Sequence, residues 1–188
     1  LPVGFNRGPW FGRLIGGDQP MNLHFVTPSY TSGTKGLQRG HVLIEPATEA
    51  ELKRMRHQLK GAWVLVSGKN VGWPVDHSAK ADSIRNAIKA ENVKIEQMND
   101  SLMKENWTKG AHHKTIPLRR MSGLFYKEMC EVGVLGFIQS ASVPLRALYD
   151  RPLVNDKNTT FDNLPEVCDI KLDEHQYAVI EQMAKERR

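Results

Sequence analysis

The sequence predicts a mixed α+β (α/β) domain built on one sheet core, and three observations carry that expectation. Short strand-like runs bounded by Gly and Pro fill the first 75 residues and recur beyond residue 133. The stretch between them is nearly free of both residues and has helical periodicity. A helix, glycine, apolar-strand order occurs twice, around Gly61 and Gly133, as it does where helices connect strands of one sheet. With 188 residues, 40% hydrophobic and 25% charged, the composition excludes collagen, coiled coil and wholesale disorder. No apolar run approaches the roughly 20 residues that a membrane-spanning helix needs.

The elements follow in order. Gly4–Gly17 has five glycines in fourteen residues and Pro9, so it is loop, yet Phe5, Trp10 and Phe11 are too many aromatics for a solvated linker. Met21–Thr27 alternates apolar and polar residues up to Pro28, as a half-buried strand does. Pro28–Gly36 is turn chemistry, and His41–Glu45 is a second strand closed by Pro46. Thr48 with Glu51 forms a capping-box signature for a helix from about Glu49 to Gln58, and Ala62–Ser67 is a buried strand.

Asp76 or Ser78 can cap a long helix running to about Trp107, in which Ile84, Ile88, Ile95, Met98 and Leu102 are expected to form the buried face. Residues 77–118 thus read as a helical excursion within a single 1–188 domain. A further helix spans Ser122–Glu131, a strand starts at Val134, residues 141–163 are loop-like, and Val167–Leu172 is a strand. Asp173 with Gln176 caps a last helix carrying Tyr177, Ile180 and Met183.

The net charge of +5 is unevenly spread, with 19 Lys/Arg against 10 Asp/Glu in residues 1–127 and 7 against 11 in residues 128–188. Lys53, Arg54, Arg56 and Lys60 are mixed with Glu49 and Glu51 and read as solvated surface in preference to a nucleic-acid site. Cys130 and Cys168 lie in apolar patterns without metal-ligand spacing and read as buried thiols, with pairing left open for an exported protein. There is no H-E-x-x-H, G-x-S-x-G, P-loop or G-x-G-x-x-G. His112-His113 is an adjacent pair without a third ligand nearby, and His24 and His41 sit among apolar strand residues. No catalytic or metal-binding residue emerges. The first Met is Met21, so a piece of a longer or processed protein is expected.

Four stretches carry a resemblance. P-S-Y-T-S-G-T-K-G (Pro28–Gly36) is similar to a P-x-A-W-T-x-G-T-x-G turn, with Ser29 and Tyr30 in the Ala and Trp positions. L-K-G-A-W-V-L-V (Leu59–Val66) resembles an L-K-G-K-I-V-L-V strand that follows a short T-x-A-D/E-L helix, here Thr48–Leu52. E-V-G-V-L-G-F-I-Q-S (Glu131–Ser140) is like an A-G-A-x-A-V-I-x-S step, and Leu164–Tyr177 resembles an L-P-x-V-x-L-x-x-E-x-Y ending. Together they resemble the protease-associated domain of secreted bacterial zinc exopeptidases of the aminopeptidase and carboxypeptidase-Q-like type.

That resemblance implies a β-barrel-like core with short flanking helices, interrupted here by the long inserted helix. It implies a non-catalytic domain that covers or gates the peptidase cleft, assists peptide selection, and contacts the catalytic domain of the same exported polypeptide. Two zinc ions are expected in that catalytic domain and none in this chain, which has neither the H-x-D nor the Glu-Glu of the zinc set. Trp10, Phe11 and Arg13 are the candidate interdomain contacts, since Trp and Arg often anchor interfaces. The competing expectation is a free-standing assembly module that docks through helix 80–107.

Overall fold

A computed structural model describes residues 8–17, 20–70, 72–142, 160–165 and 167–186. Phe5 and most of the loop expected over 141–163 lie outside the described residues. The elements run β1 (Arg13–Leu14), β2 (Met21–Asn22), β3 (Phe25–Val26), β4 (Val42–Ile44), α1 (Glu49–Leu59), β5 (Trp63–Asn70), α2 (Ala79–Lys109), α3 (Tyr126–Val132), β6 (Gly136–Ala141), a 3₁₀ turn (Phe161–Asn163), β7 (Cys168–Asp173) and α4 (Glu174–Glu186). The fold is mixed α+β, as the sequence predicts.

One five-stranded sheet has the order β3-β7-β6-β5-β4. Strands β4 to β7 are mutually parallel and β3 is antiparallel to β7. Among the described residues no pairing closes this sheet into a barrel, because β3 and β4 stand at opposite edges. Parallel strands need crossover connections; helices α1 and α3 of those connections cover one face, and the C-terminal α4 covers the other. The first half of β5 and the start of β6 therefore read as continuous apolar runs whose neighbours point to opposite sides. Val64, Val66 and Phe137 pack with Leu52, Leu59, Leu124 and Met129 on the α1/α3 face. Leu65, Ile138 and Leu172 pack with Phe25 and Ile180 on the α4 face.

The run Met21–Thr27 divides into two strands instead of one. Met21 and Asn22 pair with β1 in a separate ribbon, whereas Phe25 and Val26 pair with Leu172 and Lys171 of the main sheet. Local capping is as expected. Thr48 Oγ1 accepts from the Glu51 amide at 3.1 Å, Ser78 Oγ from that of Ala81 at 3.2 Å, and Asp173 Oδ1 from those of His175 and Gln176. In the Pro28–Gly36 turn, Tyr30 is buried and takes a φ of 59°, a left-handed conformation uncommon for a bulky residue.

The expected apolar face of α2 needs correction. Ile95 is buried and Ile88 packs against the core, but Ile84 and Met98 are 45% and 46% exposed. The buried line instead contains Ala81, Arg85, Asn92 and Ile95. We expect Ile95→Asp to destabilise the fold by about 2–4 kcal/mol and Ile84→Asp to stay within about 0.5 kcal/mol of the parent. Thermal melts of the two variants check this. A large loss from Ile84→Asp would restore the apolar stripe.

Candidate interaction site

Helix α2, at ~1.5 Å per residue, is about 46 Å long and forms an arm with the segment that returns beside it. Gly110, at φ 66°, ends the helix in the left-handed conformation that lets the chain reverse. The return is held by a ladder of asparagines. Asn106 Nδ2 donates to the His113 carbonyl at 2.9 Å while its Oδ1 accepts from the His113 amide at 2.8 Å. Asn99 does the same with Ile116 at 2.9 and 2.7 Å, and Asn92 with Arg119 at 2.9 and 2.8 Å. Arg85 continues the series, its Nη2 donating to the Ser122 carbonyl at 3.5 Å.

The spacing is what allows it. Steps of seven residues return to nearly the same helix face and advance about 10.5 Å. Three residues of extended chain advance about 9–10 Å. An extended segment has no strand neighbour here, so its backbone groups require side-chain partners. An amide carries one donor and one acceptor side by side and can satisfy both groups of one residue. Hence the line of α2 that meets the return is polar.

The root of the arm sits on a cluster of polar side chains where the sheet is irregular. β5 pairs regularly with β6 up to Val66↔Gln139 and resumes at Lys69↔Ser140, so Ser67 and Gly68 bulge outward. Gly68 takes φ 85°, which a bulge of this kind asks of its residue. Glu45 binds both ends of the excursion, with Oε1 accepting from the Ser67 amide at 2.7 Å and Oε2 from the Gly123 amide at 2.8 Å. Gln139 Nε2 donates to the Ser67 carbonyl at 3.0 Å, and Ser122 Oγ donates to the same carbonyl oxygen.

Fully buried Lys171 donates to Gln139 Oε1 at 3.0 Å and lies 2.7 Å from Asp169 Oδ1, and Asp169 Oδ2 accepts from the Val75 amide at 2.6 Å. Arg85, 2% exposed, donates to the Asp76 carbonyl at 2.6 Å and lies over the Tyr126 ring. Burial raises the Glu45 carboxyl above its ordinary pKa despite hydrogen bonds from Ser67 and Gly123 that lower it. Burial lowers that of Lys171, against the opposing influence of Asp169.

The residues singled out in the sequence have separate fates. Arg13 is exposed on β1, paired with Asn22. Trp10 is tied down through an Nε1–H···O bond of 2.9 Å to the Phe25 carbonyl and is 41% exposed, so it is partly structural. Phe11 is 81% exposed. His113 faces Glu105 at 3.2 Å, and His41 Nε2 lies 2.7 Å from the Gln58 carbonyl. Cys168 is buried and Cys130 half-buried, and the two are not joined in a disulfide.

Among the described residues no cluster of three His, Cys, Asp or Glu could hold a metal, and no helix is long and apolar enough to cross a membrane. A shallow groove of about 430 Å³ lies over the ends of β5 and β6, and its Lys69 and Glu174 form an ion pair with each other. The asparagine ladder is absent from the sequence reading, although N-x₆-N-x₆-N over Asn92–Asn106 was its visible signal. No family model, curated protein or solved structure matches the chain.

Two outcomes follow from this geometry. Asn99→Ala removes both bonds to Ile116, so amide exchange at Ile116 should quicken about tenfold, with a cost to global stability of about 1 kcal/mol. Unchanged exchange there would show that the return is held by packing alone. For Glu45, a folded pKa above the unfolded value means that its contribution is greatest below about pH 4.5 and is lost as pH rises through the folded pKa. Melts across the weakly acidic range should show the parent losing stability through that window, while Glu45→Gln, lower overall, lacks the slope.

Proposed function

We propose that the chain is a protease-associated domain serving a zinc exopeptidase, supplying contact and gating but no catalytic group. One observation carries the reading. Three of the stretches with the family resemblance, Leu59–Val66, Glu131–Ser140 and Leu164–Tyr177, fall on three adjacent parallel strands, covering the first half of β5, nearly all of β6 and all of β7. Segments that resemble one family in sequence order are thus neighbours in one sheet. On this reading the partner is the catalytic domain of the same exported polypeptide, which holds the two zinc ions and receives the peptide. Phe11 and Arg13, exposed beside a partly anchored Trp10, are the side chains presented to the cleft border.

The rival reading, a free-standing module docking through helix 80–107, draws on the exposed Met103 and Trp107 of α2. The reading frame around this segment separates the two, since only the first requires an exopeptidase frame. In the intact protein, Phe11→Ala with Arg13→Ala should raise KM for aminoacyl chromogenic peptides several-fold, leaving kcat and the melting temperature nearly unchanged. The isolated chain with added zinc should give no turnover. Chelator-sensitive turnover by that chain sinks the proposal, as does an intact protein without peptidase activity.

A further inference from the structure

The far end of the arm has features that neither the sheet nor the cleft reading uses. Met103 and Trp107 are 60% and 90% exposed and stand one helical turn apart on the same face. Near the tip stand three lysines, Lys104, Lys109 and Lys114, and two carboxylates, Asp100 and Glu105, whereas Arg119 lies two rungs back, paired with Glu91. Glu105 is turned toward Lys109 and His113, at 3.2 Å from each. The result is a pair of exposed apolar side chains flanked by lysines, at the end of a helix whose last turns are braced by Asn99 and Asn106.

We propose that this tip docks on the surface of an anionic lipid bilayer, a role independent of the peptidase reading. Three observations favour lipid over an acidic protein. The surrounding charge at the very end is Lys rather than Arg, and Lys is depleted at the cores of protein interfaces, whereas lysine stems snorkel toward anionic headgroups. Trp is the side chain whose amphipathic ring suits the headgroup level. The apolar residues also stand on a protruding helix end, which enters a soft planar surface without needing a complementary pocket. The asparagine ladder keeps the tip ordered, so little conformational freedom is lost on contact.

The test uses the 188-residue chain and vesicles of phosphatidylcholine, alone or with about one-third phosphatidylglycerol. Cosedimentation is expected with the anionic vesicles only, and should weaken as salt is raised. Trp107→Ala, and separately Lys109→Glu with Lys114→Glu, should each reduce partitioning about tenfold or more at unchanged melting temperature. Phe11→Ala, which removes another exposed aromatic, carried on the loop before β1, should bind vesicles as the parent does. Failure to sediment with anionic vesicles overturns the proposal, including the case in which the chain instead binds an acidic peptide. Parent-like binding by Trp107→Ala, or an equal loss from Phe11→Ala, overturns it too.

Discussion

The carboxylate of Glu45 is the point on which the architecture turns. Its two oxygens receive the Ser67 amide, where the chain bulges out of β5, and the Gly123 amide, where it returns from the arm. A crossover between parallel strands is ordinarily a compact helix with its loops. Here the chain leaves β5, travels the length of α2 and back, and only then forms α3 and β6. Such an excursion leaves irregular backbone at both feet, inside a layer where unpaired polar groups cost about 1–3 kcal/mol each. Glu45, Gln139 and Ser122 answer those groups from three sides. Lys171 and Asp169 extend the same cluster into the sheet, where loss of either partner would leave a charge without its counterpart.

The arm and the body are stabilised by different physics. The body buries apolar side chains on two faces of a parallel sheet, and its order comes from area removed from water. The distal arm has one helix and one extended segment, too little to enclose a core. Its order comes from bidentate amide contacts that are worth little each and act through repetition. Hydrophobic residues of α2 are thereby released from packing duty, and several of them face solvent.

Legibility in the sequence followed the range of the interactions. Thr48, Ser78 and Asp173 signal helix starts because a cap is decided within four residues. The apolar runs of β5 and β6 are legible because burial on both faces leaves no polar alternation. The alternation from Met21 to Thr27 predicts one strand, because the division is set by distant partners, β1 for one half and β7 for the other. The stripe through Ile84 and Met98 misleads for a related reason. Periodicity shows that a helix has an apolar side, but which side is covered depended on what lay against it, and a lone extended segment selected Asn92, Asn99 and Asn106. Trp10 was legible as an aromatic needing a surface, but its bond to the Phe25 carbonyl was not.

The ladder also imposes a unit of length on the molecule. One rung joins seven helical residues to three extended ones, and the two advance by nearly the same distance, about 10 Å. An insertion confined to one side of Gly110 would put every later rung out of register. One that adds seven residues before Gly110 and three after it preserves the pairing and moves the tip outward by a single step. Changes in the reach of this arm are therefore expected in quanta of ten residues, a constraint on insertions and deletions that neither the helix nor the returning segment would impose alone.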